Sequence, residues 1–197
     1  MGRHAELIAL AIPLLLVVTA CGTIGTYVKQ INIVSTEEEI RLGKNLAAEV
    51  ERQEPVLHNP ILTRYVSEIG QRVASHSDRR DVPYSFKIID NDKDVNAFAL
   101  PGGPVYVYTG LLKHAENEAE LASVLGHEVA HIAARHSAEQ LTRAFGYSLL
   151  ATIVLGEDPA AAAAMASDII GSLGMLKFSR DDEIESDRLG VHYMFRA

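Results

Sequence analysis

Cysteine is nearly absent from this chain, basic residues are outnumbered, and each shortage excludes something. One cysteine, Cys21, stands among 197 residues, so no disulfide closes within the chain and no cysteine-rich zinc site forms. Asp and Glu number 26 against 18 Lys and Arg, giving a formal net charge of -8, with no basic run. A nucleic-acid binder needs a basic patch to neutralise phosphates, so nucleic acid is excluded as a partner. Attraction to anionic lipid headgroups is excluded on the same ground. No apolar stretch suffices to cross a bilayer as a single helix. Leu7 to Val18 is short and interrupted by Pro13, and the apolar stretch from Ala144 to Phe178 is split by "GEDP" and reads as core helices. There is no internal repeat, and the five alanines Ala160 to Ala164 are the one low-complexity tract. What remains, 48% hydrophobic and 22% charged, suits one globular domain with a sizeable core.

The lone cysteine is placed informatively. "MGRHAELIALAIPLLLVVTACG" begins with Arg3 in a short polar head, continues through the apolar run, and ends in "VTAC". That is a signal-peptide pattern, and its end resembles the bacterial lipobox. Residues 1–20 are therefore expected to be a lipoprotein signal peptide and Cys21 the lipidated N-terminus, anchored by two or three acyl chains. Residues 21–34 read as a tether and 35–197 as the folded domain. Gly22 after the cysteine, rather than an acidic residue, resembles lipoproteins sorted to the outer membrane of a Gram-negative cell, and that resemblance implies a location in the bacterial envelope, facing the periplasm.

Along the folded part, "STEE" (Ser35 to Glu38) is a capping-box start for a helix to about Gln53. Asn59 and Pro60 open a second, with Leu62, Val66, Ile69 and Val73 on one face. "VPYSFKIID" alternates Tyr84, Phe86 and Ile88 as a strand, and Val105 to Thr109 forms another beyond the tight "PGGP" path. A long helix is predicted from about Glu116 to Arg135. "SAEQ" (Ser137 to Gln140), Asp158 with Pro159, and Ser179 open three more.

The long helix contains "VLGHEVAHIAARH", Val124 to His136. Four residues turn about 400° on a helix, so His127 and His131 project from one face, one turn apart. That places two imidazoles for one tetrahedral Zn²⁺ and leaves Glu128 beside them as a general base, the physical content of HExxH. A catalytic zinc site needs a third protein ligand. Ala134 and Ser137 stand where a metzincin would carry Gly and His. His136 points about 140° from His131 and reads as a surface histidine or one that supports a ligand from behind. In "RDDEIESDRLG", Glu183 and Asp187 lie one helical turn apart. Glu183 completes a two-histidine-one-glutamate set, with Glu185 the alternative, and Asp187 can accept the other ring N–H of a ligating histidine. Alone, the same acids would read as the solvated start of a helix, where the dipole favours them.

"NAFALPGGPVYVYTGLL", "EAELASVLGHEVAHIAARH" and "FSRDDEIESDRLG", in this order, resemble the zinc metallopeptidase family that includes HtpX, the CAAX prenyl protease and BepA. The lipobox is most like the BepA-type periplasmic and lipoprotein branch. The resemblance covers about Ser35 to the end and implies an α+β, mostly helical zincin domain of the gluzincin type, with a small β-sheet beside the HExxH helix. It implies one Zn²⁺ per chain on His127, His131 and Glu183, Glu128 as catalytic base, and a role for Asn96 and the following strand in holding the substrate backbone. Val105 and Val107 would then pair with an extended peptide by β-augmentation; a strand paired on both sides within the sheet is the alternative. Ser186 stands where the family usually has alanine. The chain stops at "HYMFRA", where the family continues through a Gly-Tyr-Asp-Pro-like turn, which implies a domain truncated at its C-terminus.

The expectation is a zinc-dependent endopeptidase, lipid-anchored in the envelope, cutting misfolded or misassembled proteins. Its alternative is a chaperone-like protein that binds unfolded chains around a zinc site of little turnover.

Overall fold

The computed structural model describes residues 35–171 and 178–197; the expected signal peptide, the expected tether and Cys21 lie outside the described residues. Among these, eight helices surround a three-stranded sheet. The architecture is α+β and mostly helical, as expected.

Helix α1, Thr36–Gln53, is opened by a complete capping box between Ser35 and Glu38, and it buries Leu42, Leu46 and Val50, spaced one turn apart. Helix α2, Pro60–Ala74, starts at Asn59, whose side chain accepts the Ile61 and Leu62 N–H groups. Val66, Ile69 and Val73 are buried and Leu62 packs beside them, the face its spacing predicted.

The strands are β1 (Ser85–Ile89), β2 (Ala97–Ala99) and β3 (Pro104–Tyr108), in spatial order β1-β3-β2. β1 runs parallel to β3 and β2 antiparallel to it. The sheet is covered on both faces. Phe86, Ile88, Val105 and Val107 point into a core shared with α2 and two later helices, α4 (Glu118–Ala133) and α8 (Arg180–Arg196). Phe98, Leu100, Tyr106 and Tyr108 point the other way, into a core shared with α1 and the apolar helices α6 (Tyr147–Leu155) and α7 (Pro159–Gly171). Alternating side chains serve two cores at once, which is why "PVYVY" carries no polar residue.

Two features of this region were not anticipated. β2 is too short and too apolar to show an alternating pattern, and α3, Thr109–His114, takes over at Thr109, where the strand was expected to end. The turn between β2 and β3 needs its glycines. Gly102 and Gly103 have φ of 70° and 124°, and a Cβ on Gly102 would sit 2.5 Å from the Ile40 Cα.

Helix α4, Glu118–Ala133, is capped by Asn117, whose side chain accepts the Glu120 N–H. Arg135, left-handed at φ 63°, then redirects the chain into α5, His136–Phe145. Ser137 is therefore inside α5 and does not cap it; its hydroxyl donates to the Ala99 carbonyl, 3.2 Å away. Gly146 separates α5 from α6, Tyr147–Leu155. Helix α7, Pro159–Gly171, follows Asp158, which accepts the Ala161 N–H. Among the described residues no single helix is long and apolar enough to cross a membrane, and α6 and α7 meet at a 115° bend. Helix α8, Arg180–Arg196, is capped by Ser179 with a second capping box through Asp182.

Candidate metal centre

α4 and α8 build the site by crossing where neither has a side chain. A Cβ on Gly190 would lie 2.9 Å from the Gly126 carbonyl carbon and the His127 amide nitrogen. Glycine on both helices lets the backbones nearly touch, and Glu183, two turns before Gly190, is thereby carried over the histidines of α4.

One ligand atom from each of His127, His131 and Glu183 lies within 4.8 Å of the others. The two Nε2 atoms are 2.9 Å apart, and Glu183 oxygens lie 3.4 Å from that of His127 and 3.8 Å from that of His131. Ligands about 2.0–2.1 Å from a tetrahedral zinc are separated by about 3.3 Å. The donor set and its spacing fit zinc. Glu185, the alternative, turns away and lies 3.4 Å from the His136 Nε2.

The histidines are held from behind. Asp187 Oδ1 is 2.9 Å from His127 Nδ1, the contact the one-turn spacing to Glu183 predicts. His131 is 1% exposed, and Phe178 stacks on its ring at 4.0 Å. Burial, helped by His127 and His136 nearby, pushes the His131 pKa down to about 3. Its ring is neutral, the form in which imidazole binds a metal. His136 is not a surface residue: it is 3% exposed, with Nδ1 3.1 Å from His131 Nδ1. The left-handed Arg135 produces this, turning His136 back under α4 where a continuing helix would have carried it outward.

Glu128 is buried on the sheet side of α4, and burial pushes its carboxyl up to about 7. Glu183 adds to the rise, while His127 and the Ala99 N–H oppose it. Contact with Ala99 puts the carboxylate beside β2, which corrects the expectation for Val105 and Val107. Both lie in the central strand, paired to β1 on one side and β2 on the other, and have no backbone groups left for a peptide. Among the described residues, the open edge next to the site is that of β2. Tyr108 donates to the Asn96 carbonyl and Leu100 to the Pro104 carbonyl. Asn96, Phe98 and Leu100 therefore face β3, and Ala97 and Ala99 turn their backbone groups outward. Asn96 adjoins this edge, and its buried Nδ2 has no hydrogen-bond partner among the described residues.

Two cavities flank these elements differently. One of about 480 Å³ lies against the outer side of His127, lined by Val124, Asp187, Val191 and Met194. A larger one, about 1050 Å³, lies between the end of α1, residues 54–60 and β1, and holds none of these side chains. Chemistry, not volume, locates the site.

Residues 60–197 match peptidase family M48. The chain belongs to that family.

Among its M48 relatives is the beta-barrel assembly-enhancing protease of Escherichia coli (strain K12), 31% identical over 176 aligned residues. The putative beta-barrel assembly-enhancing protease of Vibrio cholerae is 34% identical over 175. The alignments cover 83% of this chain and 35% and 36% of those relatives. The mitochondrial metalloendopeptidase OMA1 of Schizosaccharomyces pombe is 34% identical over 175 residues, covering 86% of this chain and 50% of the relative. The chain thus spans about a third to a half of the length of the relatives it matches. The contacts of Phe178 with His131 and of Ser186 with His136 escape a sequence reading because partners some 50 residues apart leave no local spacing to detect.

Proposed function

We propose that this M48 chain is a zinc-dependent endopeptidase, with His127, His131 and Glu183 as metal ligands and Glu128 as the catalytic base. The convergence of three ligand atoms beside one buried carboxylate carries the reading. Bound zinc supplies Lewis-acid polarisation of the scissile carbonyl and acidifies a water. Glu128 accepts a proton from the attacking water as oxygen bonds to the carbonyl carbon, then delivers it to the amide nitrogen as the C–N bond breaks. A carboxyl poised near 7 does both at neutral pH. Asp187 holds His127 in the tautomer that leaves Nε2 free.

The substrate chain lies along β2, its backbone pairing with the outward groups of Ala97 and its carbonyl taking the free Asn96 amide. An extended backbone is the one conformation that reaches this edge, which favours unfolded or misassembled proteins. The beta-barrel assembly-enhancing relatives support envelope proteins as that class. Lipidation at Cys21 would anchor the chain in the envelope, facing the periplasm.

The full chain should cleave an unfolded protein in a chelator-sensitive manner, and Glu128→Gln should retain zinc while losing cleavage. Cleavage by the variant at the wild-type rate would remove Glu128 from the mechanism. Cys21→Ser should leave the membrane fraction; its retention there would disprove the lipid anchor.

A further inference from the structure

His131 and His127 are supported by different chemistry. Asp187, with a side chain 74% exposed, receives the ring N–H of His127. His131 is enclosed, and the partner of its Nδ1 is the imidazole of His136 at 3.1 Å. On the metal-ligand reading above, on which this inference rests, His131 Nε2 faces the metal, so its proton is on Nδ1 and must be donated. His136 can accept it only if its own Nδ1 is bare and its proton sits on Nε2. The surroundings select that tautomer. Nε2 of His136 faces two carboxylates, Glu185 Oε2 at 3.4 Å and Asp182 Oδ1 at 3.7 Å. Near Nδ1, besides His131, the described residues place a hydroxyl and no carboxylate: Ser186 Oγ, at 3.2 Å. Asp182 is itself immobilised, since its other oxygen accepts the Ser179 N–H at 3.0 Å in the α8 cap.

We infer that His136 is a positioning residue: its Nδ1 accepts the Nδ1–H of His131 and fixes that ligand's tautomer and ring angle. A chain of contacts runs from His131 through His136 to Asp182 and Glu185, which flank Glu183 on α8. Two ligands from separate helices are thereby held in register by one buried ring. This also explains Ser186, which is fully buried against His136.

The test compares zinc affinity, by chelator competition on the full chain, for wild type, His136→Phe and His136→Asn. Phenylalanine keeps the ring and its packing but removes the acceptor; asparagine places an acceptor oxygen near the Nδ1 position. The Phe variant should bind zinc about 10- to 100-fold more weakly, and Asn should recover most of the loss. Wild-type affinity in the Phe variant would reduce His136 to a core filler and overturn the inference. A two-bond ¹H–¹⁵N spectrum of the zinc-loaded wild type decides the matter whether or not the variants fold. His136 must show the Nε2–H tautomer, and Nδ1–H overturns the inference. If the wild type binds no zinc, the metal-ligand reading itself fails, an outcome distinct from either.

Discussion

Glu128 shows how one side chain serves the site at the expense of the fold. Its carboxyl is buried and held up to about 7, above the usual 4.5. The native state therefore binds its proton more tightly than the unfolded state, and this residue's contribution becomes less favourable as pH rises from 4.5 to 7. In chelator-treated protein, Glu128→Gln should exceed the wild type in stability by up to about 3 kcal/mol at pH 8. The gap should close near pH 4. Urea unfolding at the two pH values checks this; a gap independent of pH would show that the carboxyl is solvated.

Helix contacts set a second requirement, independent of any titrating group. α4 and α8 pack backbone to backbone at Gly126 and Gly190, and that crossing carries Glu183 to the histidines. Gly190→Ala adds a methyl where only 2.9 Å is available. Overpacking costs about 1–3 kcal/mol, while alanine returns up to about 1 kcal/mol in helix propensity. The expected result is a modest net loss of stability with a larger loss of zinc affinity, because α8 must tilt away from His127. Denaturant titration and chelator competition measure the two separately. Unchanged zinc affinity would mean that the crossing is not what positions Glu183. The break between α4 and α5 is the complementary device: Arg135 at positive φ returns His136 to the site.

Across the folded domain, distant segments meet at one buried carboxylate. Glu39, fully buried in the first turn of α1, lies 2.9 Å from the guanidinium of Arg79, after α2, and 2.9 Å from that of Arg135, at the end of α4. Arg79 also donates to the Ile132 carbonyl. The cluster joins the N-terminal helix to the helix that bears HExxH. Removing Glu39 takes away the buried carboxylate that both guanidinium groups share, and Asp81, 58% exposed and 3.9 Å from Arg79, replaces it poorly, so Glu39→Ala should destabilise by about 3–5 kcal/mol. Thermal unfolding measures it; a shift expected of a surface ion pair, under about 1 kcal/mol, would show that solvent reaches the cluster.

The helices capped by Ser35, Asn59 and Ser179, the buried face of α2 and the pairing of His127 with His131 were all legible in the sequence. Each depends on residues within one or two turns of one another, where spacing is geometry. Glu183 and Asp187 were legible as a pair for the same reason, but their arrival at the histidines required the glycine crossing of two helices 60 residues apart. Which strand lies at the edge was undecidable locally. "PVYVY" reads as a strand in any position, and only the pairing of β1 and β2 on either side makes it central and leaves the edge to three residues, "AFA". The buried place of His136 likewise hangs on one left-handed residue. Local chemistry determined which side chains can bind metal and move a proton. Tertiary structure decided which of them meet, because ligand convergence and strand order depend on contacts that no short stretch of chain contains.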